Sequence, residues 1–387
     1  MSAAVDVVVV GAGIVGAACA YFLTDAGVRV HLVERDFPAG GTSRACDGLI
    51  LHWDKISNAE LALAQDSAEL WAELADGPAQ GCEYGRRGSI MVAEDGEALA
   101  AGRNKARELQ AAGIRSELLD GAGLLALEPH LAADLAGGVF FPDDAQVDAR
   151  RATTALVDAA RSRGLTLTCG AAVTAIKRSV QGAVTGIVAG DTEISCGAVV
   201  CAAGVWSGEI AAHAGLALPV RPRKGHILVT ARVPGLIRHP LLEGGYVAAV
   251  KSSNADVPQI ALVAEMTAAG TLLLGSSREF AGFDRRVSPS VVRAVAARAI
   301  RFLPALRSVG IIRSYAGLRP WSPDHLPLIG PVKAVPGFYL ATGHEGAGIG
   351  LAPVTGHLIA RWITGQTLPK VAAQVAPDRL LQAPAIA

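Results

Sequence analysis

The chain has 387 residues, of which 51% are apolar and only 18% are charged. A chain of this length and composition can bury a large core, which excludes a disordered protein and favours an α/β fold of two interleaved domains. Its 35 basic residues balance its 35 acidic ones, and no basic stretch is interleaved with aromatic residues. The charge therefore argues against nucleic acid or an anionic membrane as a partner and favours a small-molecule ligand.

The N-terminal segment is typical of a βαβ unit that binds a dinucleotide. The apolar run 5–10 predicts a buried parallel strand, and residues 14–26 predict the helix after it. The glycine pattern at their junction consists of Gly11, Ala12, Gly13, Ile14, Val15 and Gly16. Its glycines stand where a side chain would obstruct the turn, the pyrophosphate or the strand–helix contact, and the N–H groups at the helix start would face the pyrophosphate.

A second strand, predicted over 28–33, leads to Glu34. A carboxylate at this place accepts hydrogen bonds from the ribose hydroxyls of the adenosine half and repels a 2′-phosphate. The positive charge of the neighbouring Arg35 weakens that repulsion. The order of strand, glycines, helix, strand and acid favours a nucleotide site over the alternative, an incidental glycine-rich turn.

The uncharged stretch 7–24 is long enough to be mistaken for a membrane span. No Lys or Arg precedes it, and glycines interrupt it where a dinucleotide site requires them. We therefore expect neither a signal peptide nor a transmembrane segment, and a cytoplasmic protein. The six cysteines form no Cys-X-X-Cys pair, so we expect no zinc, no iron–sulfur cluster, no other metal site and no disulfide framework in this chain.

The alternation of helix and strand resumes in the middle of the chain. Asp148 lies at the start of a predicted helix that runs to about Arg163. Further strands are predicted over 165–168, 173–176 and 193–201. The second cofactor contact expected after the last of these strands consists of Ala203, Gly204 and Trp206. Segments 84–93 and 221–283 alternate apolar and polar residues, which predicts an antiparallel substrate sheet.

The C-terminal part carries the most specific motifs, at 315–330 and 341–350. With the N-terminal unit, their order resembles the D-amino-acid-oxidase-like superfamily of FAD-dependent amine oxidoreductases, which includes glycine oxidase, sarcosine oxidase and the hydroxyproline and opine dehydrogenase subunits. The resemblance spans nearly the whole chain, and segments 223–226 and 275–279 are similar to the substrate-domain motifs. It implies an α/β fold in which a Rossmann-like FAD-binding domain of the glutathione-reductase type is interleaved with an antiparallel-sheet substrate domain.

The resemblance also sets the expected domain boundaries. The discontinuous FAD-binding domain is predicted over 1–80, 145–218 and 310–370. The substrate domain is predicted over 81–144 and 219–309. The remaining Ala- and Pro-rich tail, 371–387, is expected to fray.

Further FAD contacts are implied by the resemblance. The loop 41–48 would run along the pyrophosphate through Thr42, Ser43 and Gly48. The adenine contact falls on Val173. The flavin contacts fall on Gly317, Gly346, Gly348 and Ile349. Their N–H groups would stabilise negative charge on the reduced ring, the alternative being an ordinary glycine-rich turn. No cysteine follows Cys201, so the covalent cysteinyl flavin of monomeric sarcosine oxidases is excluded and we expect noncovalent FAD.

The resemblance implies that Arg319 binds the substrate carboxylate. A guanidinium is permanently charged and binds a carboxylate through two N–H groups, which would fix an amino acid with its α-hydrogen facing the flavin. The alternative is a structural ion pair. Tyr246 would either hydrogen-bond the same carboxylate and cap the pocket, or pack within a sheet.

Four other residues have two interpretations each. His344 and Glu345 would contact the substrate amine or tune the flavin, or they would cap the helix that begins nearby. His52 and Glu265 would line the site, or they are satisfied surface residues.

The activity implied by the resemblance is oxidation of the C–N bond of a D-amino acid or a hydroxyproline-like imino acid, by hydride transfer to FAD. The forms of 343–350 and 45–48 are closer to the hydroxyproline and opine dehydrogenases, which implies an iron–sulfur-bearing partner subunit as electron acceptor. One alternative is a self-contained glycine- or sarcosine-type oxidase that produces hydrogen peroxide. Another is a noncatalytic FAD-binding electron-relay subunit, against which the retained Arg319 argues. A dehydrogenase that uses NAD alone would explain neither the 42–43 loop nor the C-terminal glycines.

Overall fold

The computed structural model of the protein describes residues 5–251 and 258–381. Its strands are β1 (Val5–Val10), β2 (Val30–Val33), β3 (Leu49–Ile50), β4 (Ser89–Ala93), β5 (Glu117–Asp120), β6 (Gly137–Phe141), β7 (Ala145–Gln146), β8 (Thr166–Thr168), β9 (Val173–Arg178), β10 (Val184–Ala189), β11 (Thr192–Cys201), β12 (Arg221–Thr230), β13 (Leu241–Glu243), β14 (Gln259–Met266), β15 (Leu272–Arg278), β16 (Ile311–Trp321), β17 (Leu328–Pro331) and β18 (Phe338–Thr342). Its helices are α1 (Ile14–Asp25), α2 (Asn58–Asp76), α3 (Gly96–Ala111), α4 (Gly121–Leu127), α5 (Ala149–Ser162), α6 (Ser207–His213), α7 (Tyr246–Lys251), α8 (Pro289–Phe302) and α9 (Gly348–Ile363).

The first sheet contains the predicted βαβ unit. Its order is β17-β18-β11-β1-β2-β8, and all neighbours from β18 to β8 are parallel. Strands β10 and β9 extend β11 as an antiparallel flap. The apolar run of β1 is buried because helices or other strands cover both faces of a parallel sheet. This sheet confirms the Rossmann-like prediction.

The second sheet is mixed rather than purely antiparallel. Its order is β16-β12-β15-β14-β13-β4-β6-β5, and all its pairs are antiparallel except β13 with β4. These two strands come from distant parts of the sequence, so no tight hairpin turn fixes their relative direction. The sheet lies where the substrate sheet was expected, in an α/β protein of two mixed sheets.

Strand β16 departs from the expected domain boundary. The interval 310–370 was predicted for the FAD-binding domain, but residues 311–321 pair with β12 over its whole length, from Arg221↔Trp321 to Thr230↔Ile311. The C-terminal motif therefore serves both sheets: its first strand completes the substrate sheet, and β17 and β18 return to the first sheet. A boundary inside a continuous motif cannot be read from composition.

Helix α1, which begins within the glycine pattern 11–16, is closely packed by neighbouring helices. Helix α1 packs against α5 and α9, and a Cβ on Gly356 of α9 would lie only 2.6 Å from the backbone oxygen of Ala18. The start of α5 follows the prediction, since Asp148 accepts hydrogen bonds from the N–H groups of Arg150 and Arg151 at 2.9 and 3.0 Å. Helices α5 and α9 therefore hold α1 in place.

The expected fraying of the tail is wrong for its first part. Residues 370–375 form a 3₁₀ turn in which Val371, Ala372 and Val375 are buried against α2 and β17. Apolar side chains at these three positions outweigh the Ala- and Pro-rich composition. Residues 382–387 lie outside the described part.

Within the ranges described, no helix combines the length and the apolar character that crossing a membrane requires.

Candidate active site

One cavity of about 210 Å³ lies at the carboxyl ends of β1, β2 and β11 and reaches β12 and β16 of the second sheet. Every residue predicted to bind the cofactor lines it except Ala12, Gly16 and Gly48. The predicted substrate residues, Arg319, Tyr246, His344 and Glu345, line it as well. Ligands of open α/β sheets bind at such an edge.

Backbone atoms form the end of the cavity beside β1. Gly11 has a φ of 102°, in the left-handed region, and a Cβ there would lie 2.7 Å from the backbone oxygen of Ala202. A Cβ on Gly16 would lie 1.8 Å from the backbone oxygen of Gly11. Gly16 therefore lies behind the cavity wall, where it lets α1 approach the turn. Both glycines are needed to aim the start of α1 at the cavity.

The start of α1 presents N–H groups and nearby side-chain oxygens to the cavity. Gly13 precedes the helix and has no side chain that could cap it. Ser43 accepts a hydrogen bond from the Ile14 N–H at 3.0 Å, and Glu34 accepts one from the Ala12 N–H at 2.8 Å. Ala12 is fully buried and contributes its backbone only. This arrangement suits a phosphate beside the helix and a ribose beside the carboxylate.

Arg319 projects from β16 at the opposite end of the cavity. Its Nη1–H donates to the Ser277 backbone oxygen at 2.9 Å, its only hydrogen bond within the described ranges, and no carboxylate there forms an ion pair with it. A Cβ on Gly225 of β12 would lie 2.1 Å from the same Nη1, so only a glycine leaves room for the guanidinium. Burial lowers the pKa of Arg319, but a guanidinium stays charged. The structural ion pair, the alternative interpretation, is therefore not what holds this side chain.

Tyr246 faces the same part of the cavity. It begins the short helix α7, so the sheet-packing alternative is wrong. A Cβ on Gly346 would lie 3.9 Å from both the Tyr246 hydroxyl and the Arg319 Nε. The two side chains therefore lie beside the same part of the cavity, next to Gly346. Burial raises the pKa of Tyr246, so its hydroxyl keeps its proton and can donate a hydrogen bond.

Glu345 is engaged by the protein. It pairs with the buried guanidinium of Arg223, and its Oε2 lies 3.1 Å from His325 Nδ1. Burial alone would raise the pKa of Glu345, but the hydrogen bond with His325 and the charges of Arg223 and Arg278 outweigh burial and lower it. The carboxylate therefore stays ionised, and its φ of 47° fixes an unusual backbone bend at the cavity.

His344 is neutral and tied to the helix that follows. Its Nε2 lies 2.9 Å from Thr355 Oγ1, and burial lowers the pKa of the imidazole to about 3. The capping alternative is wrong for His344 and Glu345, since α9 begins after Ala347 with no side-chain cap. Both residues border the cavity, but His344 is not a proton carrier at neutral pH.

The comparisons with known proteins agree with this geometry. Residues 6–362 match the model of the DAO family, whose description is FAD-dependent oxidoreductase. The chain belongs to this family.

Members of the DAO family resemble the chain over most of its length. It is 28% identical to hydrogen cyanide synthase subunit HcnC of Pseudomonas aeruginosa, over 95% of this chain and 94% of the relative. It is 31% identical to the glycine oxidase of Geobacillus kaustophilus over 92% of each chain, and the crystal structure of glycine oxidase from that organism matches with a TM-score of 0.87, 27% identity and coverage of 96% and 98%. The structure of iminodiacetate oxidase from Chelativorans sp. BNC1 matches at 25% identity with a TM-score of 0.83, over 96% of this chain and 98% of that one. The family resemblance and the use of FAD are thus confirmed.

The adenosine end of the cavity fits the FAD of this DAO-family chain. The Arg35 guanidinium lies 3.8 Å from the ring centre of Trp206, and both residues line the cavity with Val173. A Cβ on Gly41 would lie 3.4 Å from Trp206, so the loop packs closely on the indole. A stacked cation and indole beside Glu34 form a flat wall that suits an aromatic base and its ribose.

Gly48, predicted to contact FAD, does not line this cavity. Its N–H donates to Glu265 Oε2 at 2.8 Å, and a Cβ there would lie 1.7 Å from the Val147 backbone oxygen. The loop 41–48 turns away from this cavity after Asp47, because Gly48 packs on Val147, which follows β7. Gly48 and Glu265 border a second cavity of about 870 Å³ on the other side of the loop. Glu265 is buried rather than on the surface, and burial, reinforced by the charge of Asp47, raises its pKa to about 8.

His52 does not line the FAD cavity and is not on the surface. It is 4% exposed, and its Nδ1 lies 2.8 Å from Asp144 Oδ1. Ser89 donates to the other oxygen of Asp144 at 2.6 Å and accepts from the Trp53 indole at 3.1 Å. Trp53 in turn packs against Tyr246, with ring centres 6.3 Å apart. Both interpretations of His52 are wrong, since it belongs to a buried network that supports Tyr246.

Sequence reasoning gave no individual role to three residues of the site, although each lies in a segment that the family resemblance had marked. Asp47 and Gly225 line the cavity, and Arg278 stacks on Tyr246 with its Cζ 4.5 Å from the ring centre. For Gly225 a signal existed, because a glycine inside a strand pattern often marks a close approach. The resemblance placed Asp47 in the cofactor loop and Arg278 in a substrate-domain motif, but it did not predict that these two side chains, far apart along the chain, would lie near one site.

Proposed function

We propose that the protein oxidises the C–N bond of an α-amino or cyclic imino acid whose carboxylate binds Arg319, and that it passes the electrons to a partner subunit rather than to oxygen. Oxidation of amino acids or amines by bound FAD is the family activity. The carboxylate, the class of amine and the electron acceptor are the parts that this proposal adds.

The observation that carries the proposal is the hydrogen bonding of Arg319. Among the residues that the structure describes, only its Nη1 is engaged, with the Ser277 backbone oxygen, while the side chain lines the cavity. A guanidinium has five N–H donors in a planar fork that matches a carboxylate, so the remaining donors are available to a ligand. The Tyr246 hydroxyl, which keeps its proton, lies where it can donate to the same carboxylate.

The protein residues position the substrate rather than move its protons. FAD, when bound, would supply the two-electron acceptor for oxidation of the C–N bond to C=N. Arg319 and Tyr246 hold the carboxylate and thereby fix the α-carbon. Glu345 is occupied by Arg223 and His325, and His344 is neutral, so we expect the amine to lose its proton to solvent before oxidation. Water then hydrolyses an acyclic imine to a 2-oxo acid and releases ammonia or an amine, whereas a cyclic imine can leave intact.

The named relatives support this substrate class. Glycine and iminodiacetate, which appear in the names of two relatives, are both amines that carry carboxylates. The third relative is named as a subunit of a synthase, which supports a partner protein as electron acceptor. The match to glycine oxidase favours the second candidate, an oxidase that reduces oxygen to peroxide.

An anaerobic titration of the FAD-bound protein tests the proposal. Glycine, sarcosine, proline, hydroxyproline isomers and D-amino acids are added in turn while the flavin absorbance is followed, and air is then admitted. Bleaching by an amino acid, but not by the matched amine without a carboxylate, followed by slow reoxidation, is the expected result. Rapid reoxidation with peroxide would indicate the oxidase, and no bleaching by any of these compounds would overturn the proposal.

A further inference from the structure

Arg278 is a buried guanidinium beside the substrate end of the cavity. It ends β15 and is 1% exposed. Its Nη1 donates to Ser276 Oγ at 3.2 Å, and its Nε has no hydrogen-bond partner within the described ranges. Most of its five N–H donors are therefore unused by the residues that the structure describes.

The charge of Arg278 is also unpaired in the described part of the chain. Glu345, whose pKa Arg278 helps to lower, forms its ion pairs with Arg223 and His325 instead. Burying a charge without a partner costs several kcal/mol, which proteins accept mainly where a ligand completes the pair. The face of the Tyr246 ring offsets only a small part of this cost.

Arg278 lines a small annexe of about 20 Å³. The annexe adjoins the main cavity at Tyr246, His344, Glu345 and Gly346, which line both. A volume of at least about 10–15 Å³ holds one water, so the annexe can hold a water or one oxygen of a carboxylate whose carbon stays in the main cavity.

Two other acids border the annexe but are already engaged. Asp54 pairs with the buried Lys55 at 2.5 Å, and Glu60 accepts a hydrogen bond from the Ile56 N–H at 3.0 Å. Neither forms an ion pair with Arg278. These acids bind other groups, so the guanidinium of Arg278 is left available to an anionic ligand.

We propose that Arg278 binds a second carboxylate, so that the preferred substrate is an amine with two carboxylates, one held by Arg319 and the other by Arg278. This inference rests on the proposed function, from which it takes the role of Arg319. The two guanidiniums repel each other, since Arg278 helps to lower the pKa of Arg319. A ligand with two negative charges relieves that repulsion more than a ligand with one. Amino dicarboxylic acids and N-(carboxyalkyl) amino acids fit this description.

The test compares acids that bind without reacting. Malonate, succinate and glutarate are titrated into the FAD-bound protein beside propionate, butyrate and valerate, which match them in carbon number. Calorimetry and the shift of the flavin spectrum give each Kd. At least one dicarboxylate is expected to bind about 30-fold or more tightly than its matched monocarboxylate, as for an added charge-assisted hydrogen bond.

The variants decide whether Arg278 causes the difference. Arg278→Met should abolish the dicarboxylate advantage and Arg278→Lys should retain part of it, whereas Arg301→Met, which removes a surface arginine of α8, should keep it. Equal binding of all matched acids to the unaltered protein would overturn the proposal even if Arg278→Met does not fold. An advantage that persists in Arg278→Met would overturn it as well. Reduction of the flavin by monocarboxylic amino acids alone would leave the proposed function standing while this inference fails.

Discussion

The two ends of the FAD cavity are built in different ways. The dinucleotide end is centred on backbone that the glycines of one continuous stretch, 11–16, bring to the cavity wall. The substrate end consists of charged and aromatic side chains, among them Asp47, Tyr246, Arg319 and Glu345, which come from four separate segments. The first end is therefore sensitive to the volume of a single Cβ, whereas the second depends on charge balance among side chains that only the fold brings together.

The largest effect is expected at the dinucleotide end. Gly16→Ala would place a Cβ 1.8 Å from the backbone oxygen of Gly11, and backbone cannot yield as a side chain can. We expect FAD affinity to fall by more than about 1000-fold, or the protein not to fold, because the helix start must move away from the turn. The ratio of flavin to protein after purification measures this. Gly96→Ala, whose Cβ would meet nothing within 4 Å, is the control and should bind FAD normally.

The charge balance of the substrate end is tested by Glu345→Gln. This change leaves the buried Arg223 without its carboxylate and should lower the free energy of unfolding by about 3 kcal/mol. The pKa of Glu345 is lowered in the folded protein, so its contribution is present above the unfolded value of 4.5 and is lost as the pH falls below it toward the folded pKa.

Urea unfolding at about pH 7 and about pH 4 measures both expectations for Glu345. The difference between the unaltered protein and Glu345→Gln should shrink at the lower pH. Arg223→Met combined with Glu345→Gln should recover part of the lost stability, because the buried charge that Glu345 offsets is removed together with the carboxylate. A pH-independent difference would show that the ion pair is not its cause.

At the substrate end, Gly225 leaves space for a side chain, that of Arg319, rather than for backbone. Gly225→Ala would place a Cβ 2.1 Å from Arg319 Nη1, which can move because it ends a flexible side chain. We expect KM for carboxylate-bearing amines to rise about 30-fold, since the guanidinium is displaced, while FAD stays bound. Steady-state kinetics and the flavin content measure the two effects. Gly310→Ala, with nothing within 4 Å, should change neither, and loss of FAD in Gly225→Ala would remove the distinction between the two ends.

The smallest effect is expected at the adenosine wall. Arg35→Ala removes the guanidinium that lies 3.8 Å from the Trp206 ring centre and should weaken FAD binding about threefold to tenfold. Titration of the apoprotein with FAD measures this change. Arg29→Ala removes an exposed arginine that pairs with Asp6 outside the cavity and should leave FAD affinity unaltered. A loss as large as that expected for Gly16→Ala would mean that side chains, not backbone, dominate this end.

The same contrast explains what could be predicted from the sequence. The order of strand, glycines, helix, strand and acid is local, so it predicted the βαβ unit, the position of Glu34 and the cofactor class. Arg319 was predicted by family resemblance, not by spacing. The position of Gly48 was missed because the loop turns around Val147, and the unpaired charge of Arg278 was missed because a residue's partners are set by tertiary packing. Strand β16 shows the same limit, since one motif serves two sheets.

The central claim is that the dinucleotide end of the cavity holds FAD and that Arg319 is the charged anchor of the substrate carboxylate beside it. Anaerobic reduction of Arg319→Leu by an amino acid that bleaches the unaltered protein tests it most directly. We expect the variant to retain its FAD while the amino acid concentration for half-maximal bleaching rises about 100-fold or more, as for a lost charge-assisted pair. Arg319→Leu that is bleached at the same concentration as the unaltered protein would contradict the account.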